Sequence, residues 1–150
     1  IKHREKLKPE VVWNIERGLN LDVKELIDAE RKRSEIRLNM IDFLNKYEFL
    51  ITPTAPVAPP PYEERYVKSI EGVETQSYID WLALGYAISV TGCPSVSIPC
   101  GFTSDGLPVG IQIVSLPHRE VALLSFAAWI EQVFELDIGL PVENFKDQSE

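Results

Sequence analysis

Residues 91–114 read Thr-Gly-Cys-Pro-Ser-Val-Ser-Ile-Pro-Cys-Gly-Phe-Thr-Ser-Asp-Gly-Leu-Pro-Val-Gly-Ile-Gln-Ile-Val, and their β-branched positions decide the fold class. Val96 and Ile98 within 95–99, and Val109, Ile111, Ile113 and Val114 within 109–114, form two short apolar runs bounded by Gly and Pro, the pattern of strands. Between them Ser104-Asp105-Gly106 offers a turn in which Gly106 can take positive φ without a Cβ clash, so an antiparallel hairpin over 95–115 is expected. Pro99 and Pro108 cannot donate to a ladder and belong at strand ends or bulges. In the first strand Val96 and Ile98 point one way and Ser95 and Ser97 the other. That second face is small and polar, and either borders a pocket or is half-solvated.

Outward from the hairpin the pattern is helical. On the N-terminal side, Pro9 sits where a helix can begin, and Val12, Trp13, Ile15 and Glu16 carry it toward Gly18. Asp22 is an N-cap with Glu25 at the third helical position, and Val23, Leu26, Ile27, Ile36, Met40, Phe43, Leu44 and Tyr47 make an apolar stripe, predicting a long amphipathic helix over 23–46. Its charged face reads as solvated, with i,i+4 pairing. Residues 49–51 read as a short buried strand. The stretch 52–61 follows with Pro53, Pro56, Pro59, Pro60 and Pro61, which forbid helix and ladder alike, so a stiff extended loop leaves the strand. Residues 62–72 are polar and read as surface. A helix is predicted over 75–90, apolar on nearly every side and therefore in need of cover. After the hairpin, 121–134 reads as a closing helix packed through Val121, Leu124, Ala127, Ala128, Ile130, Val133 and Phe134, with Leu123 and Phe126 alongside. The tail 137–150 looks poorly tied down.

Composition narrows the function classes. A content of 45% hydrophobic residues supports a core rather than disorder, and 150 residues fit one domain or a piece of a larger one. The formal charge of −8, with no clustered Lys/Arg face, argues against nucleic acid as a partner. No apolar run approaches the roughly 20 residues that span a bilayer, so no membrane partner and a cytoplasmic location are expected. Cys93 and Cys100 have no metal-ligand spacing and read as reduced thiols; no metal and no cofactor are implied. His3 and His118 have no acidic or cysteine constellation beside them in the sequence and read as surface or capping residues.

Taken in order, these segments resemble the C-terminal third of the amidase signature enzymes, serine hydrolases that cleave carboxamides. Residues 49–56, Phe-Leu-Ile-Thr-Pro-Thr-Ala-Pro, are similar to the family's strand ending in Thr-Pro-Thr. Residues 89–102, Ser-Val-Thr-Gly-Cys-Pro-Ser-Val-Ser-Ile-Pro-Cys-Gly-Phe, are similar to its Asn-x-Thr-Gly-x-Pro segment and the strand that follows. Residues 106–114 resemble its next strand, and 123–131 its final helix. The fold class implied is α/β, the C-terminal portion of the amidase signature fold, with helices packed on a few strands of a mixed sheet that includes the antiparallel hairpin.

The resemblance further implies an attacking serine activated through a second serine by a neutral lysine, with the oxyanion held by backbone N–H groups of a Gly/Ser-rich loop. This chain has no Ser-Ser and no Gly-Gly pair, and Lys2, Lys6, Lys8 and Lys68 lack the motif context, so no catalytic residue is assigned within it. The chain begins with Ile1, and the catalytic part is expected upstream, as a partner of this one. By resemblance, Thr54, Trp81 and Ser89 are the candidate substrate-binding wall, facing a small-molecule amide. For Trp81 the competing reading is plain core packing, and for Gln112 it is a partly exposed strand residue. Ser89 stands where many members have Asn, which shortens the side chain and changes its hydrogen bonding. Three functions stay open: part of an amidase, inactive alone; the equivalent part of a glutamyl-tRNA(Gln) amidotransferase A-subunit; or a stand-alone interaction module. Glutaminase-type members carry an aspartate for the substrate amino group, and the offset of Asp80 from Thr91-Gly92 does not match it cleanly. Made alone, the chain is expected to self-associate into a homo-oligomer or aggregate through uncovered apolar surface.

Overall fold

A computed structural model of the chain describes residues 3–64 and 66–135; the expected tail 137–150 lies outside the described residues. The elements run α1 (Pro9–Leu19), α2 (Val23–Leu44), β1 (Leu50–Pro53), β2 (Ser69–Ile70), β3 (Val73–Glu74), α3 (Ala83–Thr91), β4 (Ser95–Phe102), β5 (Pro108–Val114) and α4 (Glu120–Phe134), with 3₁₀ turns at Arg4–Lys6 and Asp80–Leu82. Strands β1, β5 and β4 form one sheet in that order, β5 central and antiparallel to both neighbours.

The hairpin is the one expected, with both strands longer. Gly106 takes φ 80° in the turn, and Thr103 closes it by donating its N–H to Leu107 O (2.8 Å) and accepting the Leu107 N–H on Oγ1 (3.0 Å). Pro108 opens β5, and Pro99 flanks a bulge where the register skips between Pro99 and Gly101. Both prolines thus sit where no ladder donor is required. Strand β1 is displaced by a residue or two from the expected 49–51 and admits Pro53 as its last residue, opposite Ile111. Thr54 then donates its N–H to Gly110 O (3.0 Å), so the proline-rich loop leaves the sheet one residue later than the prolines alone suggest.

Helices cover both faces of the sheet. Ile113 and Val114 are adjacent in β5 and so face opposite ways. Ile113 packs with Ile98 against Leu123, Ala127 and Ile130 of α4, with Phe49, Val96, Ile111 and Phe126 around them. Val114 packs with Leu44 of α2, Ile88 of α3 and Cys93. Cys93 is buried, Cys100 is half-buried, and both thiols are free.

Three expectations are corrected and one, for residues 62–72, is given structural detail. The helix expected over 75–90 begins only at Ala83, because side chains in 75–80 bond to backbone instead: Asp80 Oδ2 accepts from Gln76 N (2.7 Å) and Ser77 N (2.8 Å), while Thr75 Oγ1 donates to Val67 O. Residues 62–72, read as polar surface, contain no buried residue among those described, and contribute β2 to a two-residue hairpin with β3, turned by Glu71 and Gly72 at φ 49° and 77°, the both-positive signature of a type I′ turn. In α4 the packing stripe is Leu123, Phe126, Ala127 and Ile130, an i, i+3, i+4, i+7 set, whereas Val121, Leu124 and Val133 are exposed. Along α2 the ion pairs Asp28–Arg31 (3.5 Å) and Glu30–Arg33 (2.7 Å) are spaced i,i+3 rather than i,i+4.

The start of α2 is as expected and carries a prediction. Glu25 N donates to Asp22 Oδ1 (2.7 Å) and Asp22 N to Glu25 Oε2 (3.0 Å), a reciprocal capping box. Asp22→Ala leaves the Glu25 N–H unpaired and is expected to cost about 1 kcal/mol, read as a lower urea midpoint. An unchanged midpoint would show that the cap contributes nothing. The apolar stripe of α2 is covered only toward its C-terminus, where Leu44 is buried; Val23, Leu26, Ile27 and Ile36 are exposed.

Candidate functional site

The sheet face beneath α2 and α3 changes character along the strands. Its first row, Leu50, Val114 and Ser95, lies in register across β1, β5 and β4, with Val114 buried under the helices. Two residues further along β1 and β4, the next row is Thr52, Gln112 and Ser97, entirely polar and uncharged. Directly opposite side chains on one sheet face lie about 5 Å apart, close enough to act on a common ligand. Gln112 Nε2 donates to Thr52 Oγ1 at 3.4 Å, and Thr54 Oγ1 and Ser97 Oγ share a hydrogen bond of 2.6 Å.

Gly110 makes that close approach feasible. A Cβ there would stand 3.0 Å from Thr54 Oγ1, 3.4 Å from Ser97 Oγ and 3.0 Å from Ile98 O, filling the space over which the two hydroxyls meet. Thr54 and Ser97 are exposed and Gln112 is half-buried, so the row forms an open shelf.

Thr54 therefore belongs to a polar cluster, in company with Ser97, Gln112 and Thr52. Trp81 and Ser89 are held by other partners. Trp81 is half-buried at the edge of an aromatic group, with Tyr78 edge-on to it at 6.3 Å and Tyr66 edge-on to Tyr78 at 6.3 Å. Its Nε1 is shielded from solvent and has no hydrogen-bond acceptor among the described residues. Ser89 is exposed on α3 and donates Oγ to Gly85 O at 3.1 Å, a bond within its own helix. Ser97 and Gln112 were absent from the expected site; the signal for Ser97 was present in the small polar face of the 95–99 strand, whereas Gln112 joins it only through the register of the hairpin and Thr52 only through the pairing of β1 with β5, distant in the chain.

The turn that feeds β4 is fixed from several directions. Thr91 is buried, and its Oγ1 donates to Ile88 O (2.6 Å) and accepts from Cys93 N (3.2 Å). Arg37 Nη1 reaches from α2 to Thr91 O (2.8 Å), placing a cation at the C-terminal end of α3. Ser115 N donates to Pro94 O (3.1 Å), tying the end of β5 to the same turn. Ser97 is thus presented by a strand whose entry is anchored to two helices and to β5.

The shelf can bind through hydroxyls and a carboxamide; it carries no carboxylate, imidazole or amine to move a proton. Elsewhere, His3 Nδ1 lies 3.7 Å from Glu5 Oε1, an acidic neighbour the sequence reading did not assign it, with both side chains exposed. Among the described residues no cluster of His, Cys, Asp or Glu could hold a metal ion, and no helix is long and apolar enough to cross a membrane. Two surface clefts, of about 340 Å³ beside Trp13 and about 200 Å³ beside Phe49, include none of Thr54, Trp81 or Ser89 in their linings. The described residues thus form an α/β arrangement, a three-stranded antiparallel sheet with helices on both faces and one neutral, polar row of side chains.

Comparison with known proteins identifies the family. Residues 2–124 match the Amidase family. The chain is 31% identical over 125 residues to an acylamidase of Rhodococcus erythropolis, covering 83% of this chain and 25% of that protein. It is 35% identical over 109 residues to the glutamyl-tRNA(Gln) amidotransferase A-subunit of Moorella thermoacetica, covering 73% of this chain and 21% of that one. The solved structure of an amidase superposes with a TM-score of 0.78 at 27% identity, over 87% of this chain and 30% of its own. That of a bacterial aryl acylamidase of the amidase signature family gives 0.79 at 22% identity, over 94% and 30%, a likeness of fold. The chain belongs to the amidase signature family. It spans about a fifth to a quarter of the length of the curated relatives it resembles, and about 30% of these two solved structures.

Proposed function

We propose that this chain is the C-terminal part of an amidase that hydrolyses a carboxamide to a carboxylate and ammonia or an amine, and that it is inactive alone. The family match over residues 2–124, in a chain without a Ser-Ser pair, carries this reading. The seryl nucleophile, its serine and lysine partners and the oxyanion donors then reside in the N-terminal part of the same enzyme, which is the principal partner. Within the 150 residues, Thr54, Trp81 and Ser89 are assigned to the substrate wall, the proline-rich loop 52–61 to its rim, and the whole of 1–150 to one portion of the amidase domain. A cytoplasmic location and a small-molecule amide belong to the same reading.

The amidotransferase alternative has relatives in its favour, including the Moorella thermoacetica protein. Against it, Asp80, the nearest acid to the Thr91-Gly92 pair, is engaged by the Gln76 and Ser77 N–H groups, which fit it for capping rather than for a substrate ammonium. A stand-alone interaction module does not account for the family match over residues 2–124.

The test is a panel of simple amides offered to this chain alone and to the full-length protein of the same open reading frame. Turnover is expected only from the longer protein. Turnover by this chain that survives repurification overturns the assignment of catalysis elsewhere and directs nucleophile tests to Ser89, Thr91, Ser95 and Ser97.

A further inference from the structure

We propose that residues 59–62, Pro-Pro-Pro-Tyr, are a docking motif for a WW-type domain of a partner protein, a function separate from amide hydrolysis. Ala58, Pro59 and Pro60 each precede a proline, which drives them out of the helical region, and each proline ring fixes its own φ at about −65°. The sequence thus sets this segment in the left-handed polyproline II helix, and in the structure residues 59–61 run on without helix, strand or bend. That helix has about three residues per turn, so Tyr62 stands one turn beyond Pro59 on the same edge. Pro59 and Pro61 are exposed, and Tyr62 is 98% exposed, more than any other large apolar or aromatic side chain at the surface. Pro61 O accepts the Glu64 N–H (2.9 Å), a turn that ends the extended run at Tyr62. Prolines carry no N–H, so a partner must take this segment through ring stacking and backbone carbonyls, with an aromatic slot for a proline and, one turn along, a pocket for a tyrosine. WW domains present such a groove. The ordering cost is low, because the backbone is already stiff and tyrosine has only two side-chain torsions to fix. Pro56-Val57-Ala58-Pro59 also has the Pro-x-x-Pro spacing of SH3 ligands, but Pro56 and Val57 are half-buried. No Lys or Arg occurs in 47–62 and Glu63 and Glu64 follow directly, which disfavours the acid-flanked groove of an SH3 domain and suits one flanked by cations.

The experiment is steady-state biolayer interferometry of the full-length protein of the same open reading frame against two immobilised probes, a WW domain selective for Pro-Pro-x-Tyr and an SH3 domain. Saturable binding to the WW domain is expected, and none to the SH3 domain. Tyr62→Ala and Pro59→Ala are each expected to weaken WW binding roughly tenfold or more, as the loss of an anchor does. Because Tyr62 is exposed, Tyr62→Ala is expected to leave the urea midpoint and any amide hydrolysis by the full-length protein unchanged. Absence of saturable WW binding by the full-length protein overturns the proposal, even where the 150-residue chain binds, since the N-terminal part would then cover the motif. WW binding untouched by both substitutions, or tighter binding to the SH3 domain, overturns it as well. Should Pro59→Ala fail to fold, Tyr62→Ala and the comparison of the two domains still decide. The amidase reading is judged separately, by hydrolysis in the longer protein.

Discussion

Ile113→Ala is expected to destabilise the chain by about 3 to 4 kcal/mol, within the range of large-to-small substitutions in packed cores. Ile113 is 0% exposed, stands on the central strand of the three-stranded sheet, and contacts the side of α4 formed by Leu123, Ala127 and Ile130. Removing three carbons forfeits about 0.8 kcal/mol for each buried methylene equivalent, and the cavity term adds to that because β5, hydrogen-bonded on both edges, cannot collapse inward. In a chain of 150 residues such a loss lowers Tm by roughly 10 °C. The control is Ile51→Ala on the neighbouring strand β1. Ile51 is opposite Ile113 in the register and shares its face, yet it is 48% exposed at the sheet edge. Its loss is expected to stay below about 1 kcal/mol. Calorimetry or urea unfolding of both variants separates the cases: equal losses would mean that α4 does not cover β5 as described.

What was legible in the sequence was whatever depends on a few consecutive residues. The capping box of Asp22 and Glu25, the turn at Gly106 and the placement of Pro99 and Pro108 are each determined by local sterics or by a side chain reaching its own backbone, and each stands in the structure as expected. What escaped depends on contacts between segments. Thr75 is drawn out of helix by Val67 and Lys68, which form a strip beside it only once β2 and β3 pair, and that pairing turns on Glu71 at positive φ, where Asn or Asp is the usual signal. The covered face of α4 could not be chosen from its sequence because apolar residues lie on more than one side; Leu123 and Ala127 face the sheet, while Leu124 and Val133 face away from it.

The same division holds for the site. Thr54 was singled out, and the small polar face of Ser95 and Ser97 was visible as alternation, but Gln112 reads alone as an ordinary half-exposed strand residue. Its significance arises from register: β1 and β4 bring Thr52 and Ser97 to either side of it. Trp81 and Ser89 took their place from the family resemblance rather than from local chemistry. The structure gives Trp81 aromatic neighbours and Ser89 a bond inside its own helix.

The second large effect is expected at Gly92, where helix α3 ends and the polypeptide turns into β4. Gly92 has φ 66°, and a Cβ there would overlap Arg37 Nη1. Gly92→Ala therefore incurs about 1 to 2 kcal/mol for an L-residue in the left-handed region. It also pushes the guanidinium away from Thr91 O, forfeiting a charge-assisted hydrogen bond of about 1.5 to 3 kcal/mol that is half shielded from water. The sum, roughly 2 to 4 kcal/mol once partial relaxation is allowed, should be matched in part by Arg37→Ala, which removes the bond without straining the backbone. In the double variant the overlap is gone and only the backbone cost is added, so its loss should fall short of the sum of the singles by about 1 kcal/mol or more. Strict additivity in urea unfolding would show that Arg37 and Gly92 do not meet at this turn.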